Sequence, residues 1–180
     1  MRLFVGLGLD ANATAQLERL TAGWQRADDG LRWSRPQAWH VTLEFLGHVS
    51  DEQYACLVEA LRGIRAAPFE FTISGTGSFE RAGIFYAGVE PTPALLALER
   101  AVVEASASCG FGVEPRAYHP HITLARRRSR GAGAAAMHRL AAHGIAAIAQ
   151  HAGEFLLYES LLLPTGAEYT VRKRFPLAAT

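Results

Sequence analysis

The sequence predicts an α+β fold, with antiparallel strands forming the sheet and helices lying outside it. Three observations lead there. Strand-like and helix-like segments alternate along the 180 residues. Glycine-marked hairpin signals break that alternation in the middle and near the end, which favours antiparallel pairing over a doubly wound parallel sheet. No long linker cuts the chain, so it fits one domain or two intimate lobes. At this length folding buries about 70% of the surface of the unfolded chain, and neither a disulfide nor a metal is needed to hold it. With 49% hydrophobic and 19% charged residues, the composition is globular rather than disordered.

The elements follow in order. Residues 2–9 read as a buried strand. Residues 11–25 carry Ala13, Leu17, Leu20 and Trp24 at helical spacing behind Asp10 as N-cap. Residues 31–33 are extended before Pro36, and 40–46 form a strand that Gly47 ends. Ser50-Asp51-Glu52-Gln53 is a capping box opening a helix to about residue 64. Residues 69–73 alternate as a strand, 75–83 form a glycine-punctuated turn, and 84–89 form the next strand. A helix spans 91–108, with Pro93 near its start and Gly110 past its end. A strand covers 119–125, an alanine-rich helix 131–144, and a closing hairpin pairs 155–163 with 169–175 around Pro164-Thr165-Gly166.

The net charge of +1 gives no global signature of duplex nucleic-acid binding, so attraction for phosphate must be local. Cys56 and Cys109 sit in helical patterns and read as buried small side chains, neither a disulfide framework nor a zinc site. The opening residues are too soon interrupted to be a signal peptide, and no apolar run approaches the roughly 20 residues that span a bilayer. A soluble cytoplasmic protein is expected.

One internal echo carries the chemistry. His40-Val41-Thr42-Leu43 recurs as His121-Ile122-Thr123-Leu124. In a strand, residues two apart share a face. Each His therefore projects with its Thr, while Val41, Leu43, Ile122 and Leu124 project the other way into a core. If a pseudo-twofold relates the halves, two imidazoles and two hydroxyls surround a single bound group. Phosphodiester hydrolysis uses that set: a base for the nucleophile, an acid for the leaving oxygen, and donors for the nonbridging oxygens. Histidine serves as acid or base because it titrates near 6.5, and threonine hydroxyls donate to the developing charge. No metal or other cofactor is required. His48, His119, His138, His143 and His151 have no such echo. His119 could share a face with His121, but no third or fourth ligand of a zinc site is evident.

Arg126, Arg127, Arg128 and Arg130 form the only dense basic run, directly after the second motif. Arg126 is the first candidate for a phosphate contact. Arg127, Arg128 and Arg130 read as a solvated loop that draws in an RNA backbone, with Arg128 the second substrate-binding candidate. Phe45, Tyr118 and Trp39 flank the motifs and offer either core packing or an aromatic face for a terminal base. Phe45 and Arg126 lie five residues after their respective histidines. That odd offset puts them on the wrong face unless a bulge intervenes. Ser34 and Arg35 are weaker candidates for the cleft lining.

The residues around the echo, Trp39-His40-Val41-Thr42-Leu43-Glu44-Phe45-Leu46-Gly47 and Pro120-His121-Ile122-Thr123-Leu124-Ala125-Arg126, resemble the two-histidine phosphoesterase superfamily. They are most similar to its RNA 2',3'-cyclic phosphodiesterase branch, the LigT or 2'-5' RNA ligase-like proteins. Residues 75–89 and the Leu161…Gly166…Tyr169 pattern extend the likeness over nearly the whole chain. Glu80 departs where the family often has proline, and Tyr86 where it often has tryptophan. The resemblance implies one bilobal domain over 1–180, its two pseudo-symmetric lobes of antiparallel sheet facing each other across a central cleft. It implies His40 as proton donor and His121 as proton acceptor. The implied reaction opens a cyclic phosphate at RNA 3' ends, or on small cyclic nucleotides, to a 2'-phosphate, with 2'-5' ligation as its reverse. A monomer without membrane or protein partner is expected.

Overall fold

The computed structural model describes residues 1–163 and 166–178. Its strands are β1 (Arg2–Gly8), β2 (Leu31–Trp33), β3 (His40–His48), β4 (Phe69–Phe79), β5 (Ile84–Val89), β6 (His121–Arg127), β7 (Ile148–Ala152), β8 (Glu154–Leu163) and β9 (Gly166–Pro176). Its helices are α1 (Ala11–Ala22), α2 (Asp51–Arg62), α3 (Pro93–Ala107) and α4 (Ala134–Ala141). The fold is α+β, and every strand pairing is antiparallel. One sheet runs β7-β4-β5-β6-β3-β1-β8-β9, with β2 attached to β6. The order is symmetric about the β6–β3 seam, and β5 on one side answers β1 on the other.

Local chemistry sets the helix ends. The Asp10 carboxylate accepts from the Ala13 amide at 2.8 Å, and Gln150 Oε1 accepts from the Asp10 amide at 2.9 Å, which ties α1 to β7. The Ser50/Gln53 capping box forms in both directions. All four helices feed one core with Leu3, Val5, Leu7, Val41, Leu43, Ile122 and Leu124 from the sheet. Phe4, Leu156 and Tyr158 form a separate small cluster. Alternation along β1 puts these on the other face of the sheet, away from the helices.

Several expectations change. Residues 75–79 are strand, not turn: β4 absorbs Gly75 as a bulge at φ +66° and continues to Phe79, so the turn is only 80–83. Gly47 does not end β3; it pairs with Leu3 at φ +70° and the strand reaches His48. The alanine-rich helix starts only at Ala134. Gly131 and Gly133 both have positive φ, and a Cβ at Gly133 would come within 2.6 Å of Leu31. Strand β7 had no sequence counterpart. In the closing hairpin β9 begins at Gly166, and Pro164 and Thr165 lie outside the described residues.

The largest correction concerns the cysteines. Cys56, exposed on α2, is disulfide-bonded to Cys109, just past α3, with Cα atoms 5.8 Å apart. The sequence pattern put Cys56 and Cys109 in helical surroundings but carried no information that α2 and α3 pack side by side. Among the described residues no helix is long and apolar enough to cross a membrane.

Candidate active site

The two His-x-Thr segments meet where β3 and β6 meet. Val41 and Ile122 are the paired residues of that seam. Antiparallel register through them sets His40 across from Thr123 and Thr42 across from His121. The two histidines are then diagonal neighbours, with about 7–8 Å between their backbones. Val41 and Ile122 are fully buried toward the helices, and the histidines and threonines project from the opposite face, half-buried. The residues opposite the histidines on the flanking strands are glycines: Gly8 pairs with His40 and Gly88 with His121. A Cβ at Gly88 would lie 2.7 Å from the Ser74 carbonyl, so the strand beside His121 tolerates no side chain there.

A second symmetry follows each motif. The β1–β3 register slips between Thr42 and Glu44, and the β5–β6 register slips between Thr123 and Ala125. Leu43 and Leu124 are therefore equivalent bulge residues. In each strand two consecutive residues turn to the core: Leu43 with Glu44, and Leu124 with Ala125. The alternation restarts after them and returns Phe45 and Arg126 to the histidine face.

Each imidazole is held in one tautomer. His40 Nδ1 lies 2.8 Å from the Ala38 carbonyl, and His121 Nδ1 lies 2.8 Å from the His119 carbonyl. A carbonyl only accepts, so both Nδ1 atoms carry hydrogen and both Nε2 atoms are left for chemistry. Aromatic rings wall each one. Around His40 stand Phe4 at 4.6 Å, Tyr169 edge-on at 5.0 Å and Tyr158 at 5.7 Å. Around His121 stand Phe79 edge-on at 5.0 Å, Tyr86 at 5.3 Å and His119 at 6.3 Å.

Burial pushes His40 down to about 4, against the Ala38 carbonyl, which favours the proton, and with the help of His121 and Arg126. Burial likewise lowers His121, again opposed by its backbone partner and assisted by His119 and Arg126. Arg126 is thus the one cation acting on both rings, and among the described residues it pairs with no carboxylate. The threonine hydroxyls likewise have no hydrogen-bond partner among the described residues. Two imidazoles, two hydroxyls and one guanidinium therefore share one face of the sheet around the β3–β6 seam, all of them groups that can donate hydrogen bonds to an anion.

The LigT like Phosphoesterase family matches residues 7–86. The chain is 30% identical over 131 residues to an RNA 2',3'-cyclic phosphodiesterase of Thermotoga maritima, covering 70% of each chain. The chain belongs to the LigT-like phosphoesterases. An RNA 2',3'-cyclic phosphodiesterase of Geobacillus stearothermophilus is 36% identical over 129 residues, which is 69% of this chain but 41% of that one. The chain therefore spans less than half the length of that relative. The Escherichia coli LigT structure complexed with 3'-AMP superposes with TM-score 0.83 at 28% identity, covering 99% of this chain and 98% of that one.

In this LigT-like phosphoesterase the candidate residues divide. His40, Thr42, His121, Thr123, Phe45 and Arg126 share one face. Phe45 is 70% exposed, so its ring is an available platform and not core. Tyr118 goes elsewhere: it packs on the helix-side core, and its hydroxyl donates to the Thr42 carbonyl at 2.9 Å, bracing β3 from behind. Burial pushes its phenol up, with Glu99 on α3 adding to the effect. Trp39 is buried in the core. Arg128, just past the end of β6, donates from Nε to the Leu31 carbonyl at 2.9 Å and lies seven residues along the chain from His121. Arg127 is bound to the Glu80 carbonyl. Neither joins the site: β6 carries Arg126 and Arg127 to its end, and the run then leaves the sheet, with Arg128 and Arg130 exposed past the strand as a solvated loop would be. Among the described residues no three His, Cys, Asp or Glu side chains gather as metal ligands, His119 and His121 included. Sequence reasoning gave no site role to Phe4, Tyr158, Phe79 or the paired glycines. Alternation in β1 from Arg2 could have put Phe4, Gly6 and Gly8 on one face.

Proposed function

We propose that this LigT-like phosphoesterase hydrolyses the 2',3'-cyclic phosphodiester at RNA 3' ends to a 2'-phosphomonoester. The observation that carries this reading is the interlocked pair of His-x-Thr segments at the Val41–Ile122 seam, with both Nε2 atoms free above one floor. The names of the relatives support the substrate class.

His121 Nε2 takes a proton from water, whose oxygen bonds to phosphorus. The P–O3' bond breaks, and His40 Nε2–H delivers its proton to O3'. Thr42, Thr123 and Arg126 hold the nonbridging oxygens, and Phe45 stacks on the terminal base. In the free protein both rings lie below the ordinary histidine range, so His40 must gain its proton on binding. A phosphate anion between the rings supplies the opposite charge that raises it. A ribose 5'-hydroxyl in place of water attacks phosphorus in the same sense: His121 takes its proton, the P–O3' bond breaks with a proton delivered to O3', and a 2'-5' linkage results. No step needs a cofactor.

The chain acts in this reading as one two-lobed domain over 1–180, a monomer working on RNA ends or small cyclic nucleotides in the cytoplasm. Cytoplasmic thiols are commonly kept reduced. The Cys56–Cys109 link joins α2 to the end of α3, on the helix side of the sheet, so the histidine geometry does not depend on it. The test is incubation with an oligonucleotide ending in a 2',3'-cyclic phosphate, in EDTA, followed by assignment of the oxygen that keeps the phosphate. A 2'-phosphate is expected. An unchanged substrate, or a 3'-phosphate, overturns the assignment.

A further inference from the structure

Beside His121 the histidine face opens into a groove of about 280 Å³ that the reaction above does not use. Ser74, Tyr86, Gly88, Glu90, Pro91 and His119 line it. Tyr86 and His119 also touch the catalytic cleft, since each contributes to the wall around His121. The groove is therefore continuous with the place where a phosphate would sit.

Its construction is specific. Tyr86 pairs across β5–β6 with Thr123 and lies over Gly77 of β4, where a Cβ would come within 2.5 Å of the tyrosine ring and hydroxyl. Only glycine at 77 lets the ring lie in that position. His119 is held edge-on to Tyr86 at 5.5 Å and to Phe79 at 5.4 Å. Its own carbonyl orients His121, so its backbone is fixed while its ring remains exposed. At the far end Ser74 Oγ donates to Glu90 Oε1 at 3.0 Å. The Ser74–Gly75 bulge makes room there, and Gly88 leaves the floor bare.

The charge of the lining decides what fits. No lysine or arginine lines the groove, and Glu90 brings a carboxylate, so a second phosphate is disfavoured. An aromatic face, a bare floor and a terminal acceptor suit a neutral ring with donor groups, which is a nucleoside.

We propose that this groove is a second nucleoside subsite. It receives the nucleoside preceding the cyclic end, with its base against Tyr86 and its donors on Glu90 and Ser74, while the linking phosphodiester stays at the His119 rim, away from Glu90. The inference rests on the phosphodiesterase reading above and adds to it a preference for RNA ends over cyclic mononucleotides.

The experiment compares kcat/KM on adenosine 2',3'-cyclic phosphate and on a dinucleotide ending in a 2',3'-cyclic phosphate. The native protein is expected to prefer the dinucleotide about tenfold, as one base–aromatic stack allows. His119→Ala, and separately Ser74→Ala with Glu90→Ala, are expected to lower the dinucleotide-to-mononucleotide ratio about fivefold. Circular dichroism shows whether the variants are folded, and the ratio cancels any loss common to both substrates. Turnover of both substrates without preference, or variants that leave the ratio unchanged, overturns the subsite alone. Turnover of neither by the native protein overturns the phosphodiesterase reading and the subsite with it.

Discussion

The Ser106 hydroxyl of α3 donates to Oε1 of Glu44 at 2.7 Å, joining the helix layer to the strand that carries His40 and Thr42. Glu44 occupies the core-facing place that Ala125 holds in the second motif, so the two halves differ there by a buried carboxyl. Its Oε2 has no partner.

Burial raises Glu44 to about 7, against the Ser106 hydrogen bond and with Glu99 nearby. The folded protein therefore prefers the protonated acid. That contribution is complete below the unfolded value near 4.5 and is lost as pH rises through about 7. Glu44→Gln keeps the shape without the charge. It is expected to be more stable than the native chain above pH 7, by about 1–3 kcal/mol, and to lose that advantage below pH 4.5. Denaturant midpoints across that range measure the difference; parallel curves would refute the buried-acid account.

In the proposed mechanism the two histidines set the rate profile. His40→Ala and His121→Ala are each expected to cut turnover about 10²-fold or more. Both rings titrate below 6.5 in the free protein, His40 at about 4. The kcat/KM profile reports the free protein, so its optimum is expected below pH 6.5. The kcat profile reports the complex, where the bound anion raises the rings, and is expected to extend to higher pH. A kcat/KM limb rising with an apparent pKa above 7 would contradict this assignment.

Arg126 and Phe45 separate by readout. Burial lowers both histidines most and Arg126 adds to it, so Arg126→Ala is expected to shift the kcat/KM optimum slightly upward in pH while lowering its height. It is also expected to weaken the salt dependence of kcat/KM. Phe45→Ala removes an exposed ring. It is expected to raise KM about tenfold on a purine cyclic phosphate and to leave the melting temperature almost unchanged.

The disulfide should matter for stability and not for turnover. It closes a loop of 53 residues between Cys56 and Cys109. Cys56→Ser is expected to cost about 2–4 kcal/mol under oxidising conditions and nothing further under reducing ones, with kcat on a cyclic mononucleotide unchanged. Thermal melts with and without dithiothreitol read both.

Sequence alone determined what depends on short-range pattern. An apolar run gave β1, alternation gave the first part of β4, polar caps gave the starts of α1 and α2, and the repeated His-x-Thr gave four side chains on one face. These follow from chain stereochemistry within a few residues. It also posed the offset of Phe45 and Arg126 as a question. Only the tertiary structure answered it, because the bulges at Leu43 and Leu124 are set by pairing with strands far away in the chain. Tyr118 bracing Thr42, Arg128 spent on Leu31, Cys56 joined to Cys109 and Tyr86 lying over Gly77 have the same origin. Each depends on which distant segments the packed sheet and helices make neighbours.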